Sequence, residues 1–141
     1  MLNALLLTAI GVWLGAMLFF ASVVAPTVFG TLEPPLAGQM IRCVFPRYYL
    51  FGLICLSLAT LVSLAAPSSS SWVTVACVAL LGVTWYARQM LMPQINAARD
   101  AMLERNETHS PEFERLHKRS VQLNAAEMVV CLVLLYVLIT R

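Results

Sequence analysis

Between Arg119 and Arg141 the chain carries a single charged side chain, Glu127, in a stretch made mainly of Val, Leu, Met, Ile and Ala. An apolar helix of about 20 residues is long enough to cross a bilayer. A carboxylate that faced lipid there would cost about 2.5 kcal/mol or more. We therefore predict that this stretch is a membrane-spanning helix and that Glu127 points towards protein, water or a ligand.

The composition excludes a water-soluble globular domain. Of the 141 residues, 60% are hydrophobic and 11% are charged, and the mean hydropathy is +0.81. Soluble domains carry about 25% charged residues, so this much apolar side chain needs a lipid surrounding. The net charge of +2 is small, and the basic residues are concentrated in two segments, which points to membrane orientation rather than nucleic-acid binding. We predict one integral membrane domain in contact with the lipid bilayer, with no nucleic-acid partner.

Apolar runs predict an all-α fold, an integral membrane four-helix bundle. Leu36, Met40 and Val44 share one helical face, which predicts a short interfacial helix after the first span. The helical period continues beyond Pro93, so the third helix should be kinked there and extend to about Arg105 as a cytoplasmic helical extension before the fourth. The predicted spanning helices are 4–25, 48–66, 72–105 and 111–140.

The distribution of Lys and Arg predicts the orientation in the membrane. The turn at 67–71 and the extreme N-terminus carry no basic residue. Loops rich in Lys and Arg stay in the cytoplasm, so we expect a multi-pass protein of the bacterial inner membrane with both termini outside. Except for Arg141 at the outer end, the basic residues fall in or beside the first and third connections: Arg42, Arg47, Arg88, Arg99, Arg105, Arg115, Lys118 and Arg119.

Polar residues of the last helix fall on one side of it, within an arc of about 80° at about 100° per residue. Packing this side against the third helix predicts a polar cluster that faces the cytoplasm. Glu127 would pair there with Arg88, Arg42 or Arg47. The predicted cluster consists of Gln89, Asn96, Arg99, Asp100, His117, Ser120, Asn124 and Glu127.

Two interpretations of this cluster stay open. Interhelical hydrogen bonds, worth about 0.6 kcal/mol each, could hold the helices in register. Alternatively, the cluster binds or passes a small ligand or cation, with charge from Glu127, orientation from Asn124 and Asn96, and gating by His117. Intramembrane carboxylates favour the second interpretation.

A structural or assembly subunit is a further alternative. Gly11 and Gly15 form a small-xxx-small pair in the first helix. Such pairs let a neighbouring helix approach closely, so a homo-oligomer could form through these glycines.

Motifs of conventional enzymes are missing from the sequence. There is no nucleophile elbow, glycine-rich phosphate loop or H-E-x-x-H, so no catalytic residue is predicted and a non-enzymatic role is favoured. The four cysteines are spread singly, without C-x-x-C, as expected of free buried thiols. No metal or other cofactor is predicted. A haem or copper protein stays an alternative, because His117 could serve as a ligand.

Short motifs along nearly the whole chain resemble the transmembrane protein 205-like family, a domain-of-unknown-function group of small four-helix membrane proteins. The motifs are WLG at 13–15, VAPTVF at 24–29, FPRYY at 45–49, PQINAARD at 93–100 and FERLHKRS at 113–120. The resemblance implies four membrane helices and puts Asn96, Arg99, Asp100, His117, Ser120 and Asn124 in signature positions. It implies little about chemistry, and Glu127 lies outside these motifs.

A looser likeness links the chain to copper-resistance D-type proteins and to haem-dependent protoporphyrinogen-oxidase membrane proteins. Those proteins use intramembrane histidines, which this chain lacks.

Overall fold

The computed structural model describes residues 2–65 and 71–140, and within them every regular element is helical. Two π-helical turns, Phe20–Val24 and Ala87–Leu91, join α1 to α2 and α4 to α5 without a break. The all-α prediction is confirmed. The helices are α1 (Leu2–Phe19), α2 (Ala25–Thr31), α3 (Pro34–Ala65), α4 (Ser71–Tyr86), α5 (Met92–Glu104) and α6 (Pro111–Ile139).

Within the described residues, four continuous helical segments are long and apolar enough to cross a membrane: Leu2–Thr31, Pro34–Ala65, Ser71–Glu104 and Pro111–Ile139. Large apolar side chains cover their outer surfaces, as with Ile54, Leu61 and Val75, each at least 60% exposed. A surface this apolar requires lipid rather than water around it. The predicted four-helix membrane bundle is confirmed.

Pro26 and Pro93 occupy equivalent places in the first and third spans. Each is the second residue after a π-turn, and the residue before it donates its backbone N–H five residues back, Ala25 to Phe20 and Met92 to Ala87. Proline lacks an N–H and its ring crowds the preceding turn, and a π-turn leaves room for both effects. The first span therefore continues through Pro26 to Thr31, beyond the predicted end at residue 25.

The prediction of a separate interfacial helix before the second span is wrong. Residues 34–65 form one helix, α3, with Pro46 inside it. Arg47 Nη1 donates to the Cys43 carbonyl at 2.9 Å, in the turn that Pro46 disturbs. Membrane helices tolerate an internal proline, and α3 continues through Pro46 to Ala65. Residues 66–70, which include the end of the predicted second helix and most of the predicted turn at 67–71, lie outside the described residues.

The core is built around Trp13 of α1. Its side chain is fully buried, and its ring lies so close to Gly52 of α3 that a Cβ there would meet it at 2.6 Å. The Tyr48 ring also packs against the Trp13 ring, with ring centroids 4.9 Å apart. α1 packs on α3 and α6, and α3 packs on α4, whereas α4 and α6 meet much less extensively. The third and fourth spans therefore pack closely where α5 meets α6, around Leu91, Ala98 and Leu116, and loosely where α4 meets α6.

Candidate functional site

Glu127 lies inside the bundle, as its position in an apolar helix predicts. The side chain is 4% exposed, and Thr84 Oγ1 lies 2.7 Å from Glu127 Oε1. The three arginines proposed as partners are engaged elsewhere: Arg42 with Asp100, Arg47 with the Cys43 carbonyl and Arg88 Nε with the Pro46 carbonyl at 3.4 Å. The predicted ion pair is therefore wrong, and among the described residues Glu127 has no basic partner.

Thr84 has two acceptors within reach of its single hydroxyl hydrogen. Its Oγ1 lies 2.9 Å from the Leu80 carbonyl as well as 2.7 Å from Glu127. An ionised Glu127 accepts this hydrogen, whereas a protonated Glu127 donates to Oγ1 while Thr84 donates to Leu80. The two protonation states of Glu127 therefore fit the same heavy-atom positions.

Asn124 extends the polar site by one helical turn. Its Nδ2 donates to the Tyr49 hydroxyl at 3.2 Å and to the Ser120 carbonyl at 3.1 Å, while its Oδ1 accepts from the Tyr48 hydroxyl at 3.2 Å. Tyr49 is buried and Tyr48 is partly buried against Trp13. These tyrosines thus serve the core of the bundle. We call Tyr48, Tyr49, Thr84, Asn124 and Glu127 the inner site.

The predicted polar residues of the third span lie at a different place, against the beginning of α3. Arg42 Nη2 donates to Asp100 Oδ1 at 2.8 Å and to the Asn96 carbonyl at 3.3 Å. Arg99 Nη2 donates to the Pro34 carbonyl at 3.1 Å, and its guanidinium lies directly over Gly38. The hydrogen bonds thus divide the residues of the predicted polar cluster between two places. The Arg42 side chain and the Pro34 carbonyl, both in the first part of the uninterrupted α3, take up these polar groups.

Two further predicted residues lie outside both groups. His117 is exposed and its ring stacks on Phe113, with centroids 5.9 Å apart and planes at 9°. Gln89 is exposed on the second π-turn. The structure therefore brings together Ser120, Asn124 and Glu127 of the eight predicted residues, and their roles stay predictions.

Sequence reasoning missed Thr84 and the two tyrosines as parts of the inner site. Thr84 is fully buried in a helix of apolar residues. A hydroxyl in such a helix is a weak signal, because it can bond to the carbonyl one turn earlier and need no other partner. Thr84 makes that bond as well as the contact with Glu127.

The loose interface between α4 and α6 forms a groove of about 330 Å³. It lies at the membrane-spanning part of both helices and adjoins the inner site. Among the residues that line it, Glu127 is the one with a charged side chain, and the surface inside the groove is apolar throughout, so Glu127 presents its methylene groups there. The lining residues are Ala76, Ala79, Leu80, Val83, Leu123, Ala126, Glu127 and Val130.

Metal-type ligands do not converge in the part of the chain that the structure describes, where no group of three or more His, Cys, Asp or Glu side chains forms. The cysteines are unpaired, with Cys55, Cys77 and Cys131 buried and Cys43 exposed. The haem or copper alternative stays a prediction. The inner site offers hydrogen bonds and one carboxylate.

A family model described as "Domain of unknown function (DUF4149)" matches residues 8–104. The match covers most of α1 and all of α2 to α5, so Tyr48, Tyr49 and Thr84 lie within it. Asn124 and Glu127 of α6 lie beyond it. Comparisons with curated proteins and with solved structures find no match.

Proposed function

Because the chain belongs to the DUF4149 family, whose description names no activity, we propose its function from the inner site. It is a non-enzymatic integral membrane protein that binds, or passes across the membrane, a small ligand or cation at Glu127. One observation carries this proposal: the carboxylate is 4% exposed and has a threonine hydroxyl, but no basic group of the described residues, as its partner.

The energetics of a buried carboxylate favour binding over packing. An ionised carboxylate has about four lone-pair sites, and Thr84 occupies one. Where a buried polar group serves packing alone, an apolar side chain of similar size is often as stable or more stable. Glu127 thus retains hydrogen-bonding capacity that a cation or a ligand N–H can use.

A second buried polar atom supports the proposal. Trp13 is fully buried, and its indole Nε1 has no hydrogen-bond partner among the described residues. Trp13 packs on Tyr48, whose hydroxyl donates to Asn124 of the inner site. Buried polar groups are almost always paired, so an unpaired donor beside the inner site supports binding of a polar ligand. Asn96 and His117 lie apart from this site and have no role in the proposal.

The finer assignment to the transmembrane protein 205-like family is part of the proposal. It is supported by the motifs at 93–100 and 113–120, the second of which lies beyond the matched domain. The orientation is also proposed, with both termini outside the bacterial inner membrane. Its support is the gathering of basic residues near the 32–33 and 105–110 breaks between helices.

The test measures binding of three probes to the purified chain in lipid nanodiscs, with empty nanodiscs as the blank. The probes are sodium, methylammonium and benzyltrimethylammonium, each radiolabelled and followed by equilibrium dialysis. We expect saturable binding of at least one probe, weakened more than about tenfold by Glu127→Gln, because the loss of one buried charge in a pair costs several kcal/mol. Glutamine keeps the shape and the contact with Thr84, so unfolding should change little. The proposal fails when no probe binds saturably, or when Glu127→Gln binds all of them as the parent does.

A structural or assembly subunit is the second candidate function. Gly11 and Gly15 have no atoms within 4 Å of the position that a Cβ would occupy, so this face of α1 is open on the outside of the bundle. A neighbouring helix could pack closely against it. This candidate requires a homo-oligomer, or a partner protein bound in fixed proportion.

A further inference from the structure

The groove between α4 and α6 opens towards lipid at the level of the inner site. Its lining includes the exposed Ala79 and Ala126, and Val75 and Val129 beside it are each more than half exposed on the outer surface. All of these residues lie within segments that are apolar enough to span the membrane. A molecule can therefore reach the groove sideways from the hydrocarbon region.

Small side chains leave this opening between the two helices. Ala76 and Ala79 on α4 face Ala126 on α6 across a space of about 330 Å³, which is the low end of the range for small-molecule sites, about 300–1,000 Å³. The size suits a compact apolar body. A bare or hydrated metal ion would find no oxygen ligands along these walls to replace its water, and desolvating it there would be very costly.

Glu127 gives the groove its charge preference. Its methylene groups form part of the groove surface, while its carboxylate lies immediately behind, against Thr84. A ligand whose body fills the groove thus places its polar end beside a negative group. A helix of another protein packed there would instead leave the carboxylate buried without a countercharge.

We propose that the ligand of Glu127 is a lipophilic organic cation, an ammonium group on a compact apolar body, which enters from the bilayer between α4 and α6. This inference rests on the proposed function and names the ligand class of the same site. The body occupies the space between Ala79 and Ala126, and a rotation of the Glu127 side chain brings its carboxylate to the ammonium group.

The experiment uses the same nanodisc dialysis with variants of the groove. Benzyltrimethylammonium is the lipophilic probe, and sodium and methylammonium are the hydrophilic ones. Ala126→Leu fills the groove, whereas Ala125→Leu places the same side chain on an exposed position of α6 that does not line it. Circular dichroism and a monodisperse elution profile confirm that each variant is folded.

We expect benzyltrimethylammonium to bind the parent and Ala125→Leu equally. It should bind Ala126→Leu more weakly, by about tenfold or more, because the leucine side chain fills space in the groove that the ligand needs. Unlabelled 2,2-dimethylpropylbenzene, the neutral analogue of the same shape, should compete poorly. Equal binding by the two leucine variants overturns the lateral route, and strong competition by the neutral analogue overturns the role of charge.

The two proposals fail in distinguishable ways. If the chain binds sodium or methylammonium but not benzyltrimethylammonium, and Glu127→Gln abolishes that binding, this inference is overturned and the proposed function stands. If none of the three probes binds, both proposals are overturned. A dimer that dissociates in Ala126→Leu but not in Ala125→Leu, without cation binding, would mean that a second copy of the chain occupies the groove.

Discussion

At the scale of single residues, the contact between Thr84 and Glu127 has an unusual property. The hydroxyl can donate to the carboxylate or, when Glu127 is protonated, accept from it while donating to the Leu80 carbonyl. No heavy atom has to move between the two arrangements. The contact thus holds the Glu127 side chain in one place in both protonation states when no ligand is bound.

Removal of the Thr84 hydroxyl tests the importance of this contact. Thr84→Val keeps the shape and should lower the free energy of unfolding by about 1–3 kcal/mol, since a buried carboxyl group then lacks its partner. Thr84→Ser, which keeps the hydroxyl, should lose less. Thermal unfolding in detergent measures both. When Glu127 is already replaced by alanine, Thr84→Val should lower the free energy of unfolding markedly less than it does in the parent. An equal loss in the parent and in Glu127→Ala would mean that the contact contributes nothing to stability.

Gly52 is required at its position because of the Trp13 ring. A Cβ at residue 52 would lie 2.6 Å from this ring, whereas a Cβ at Gly82 would have no neighbour within 4 Å. Gly52→Ala should therefore push α1 and α3 apart and destabilise the bundle by about 1–3 kcal/mol. The control Gly82→Ala should be neutral or slightly stabilising. Loss of stability in the control as large as in Gly52→Ala would contradict this explanation.

At the scale of elements, polar groups join the first half of α3 to α5. Arg42 bonds to Asp100 and to the Asn96 carbonyl, and Arg99 bonds to the Pro34 carbonyl above Gly38. These contacts explain why the segment before Pro46 is part of a long helix in the bundle. A free interfacial helix would have left α5 without these partners.

Swapping the charges of Arg42 and Asp100 tests whether their ion pair joins α3 to α5. The pair is partly exposed, with side chains 37% and 51% accessible, so its effect on global stability should be small, about 0.2–1 kcal/mol. Local protection is the more sensitive measurement. Hydrogen exchange in α5 should become faster in Asp100→Arg and should recover part of its protection when Arg42→Asp is added. Equally fast exchange in the single and double variants would show that the ion pair does not hold α5.

At the scale of the whole molecule, the sequence predicts the spans well because bilayer thickness sets a minimum length for each apolar run. It also predicts the inward direction of Glu127, because lipid excludes a carboxylate. Partners of polar groups are harder to predict, since they depend on how far each helix extends. The predicted second span begins at residue 48, so the prediction gave Asn96, Arg99 and Asp100 partners on α6 rather than on α3. Thr84 gave no distinct signal because its neighbours along α4 are apolar.

The outer surface of the bundle allows a direct test of the predicted homo-oligomer. Gly11 and Gly15 contact nothing within 4 Å of a Cβ position in the single chain, so Gly15→Leu should leave the fold of one copy intact. If two copies meet at this face, the larger side chain should dissociate them, because close packing of backbones requires small residues. Gly82→Leu is the matched control, since Gly82 is equally open on another span. Light scattering of the detergent-solubilised chain gives the mass: a dimer in the parent and Gly82→Leu, and a monomer in Gly15→Leu, would support a contact through α1. The same mass in all three proteins would exclude this contact, and the assembly candidate would then depend on a different face.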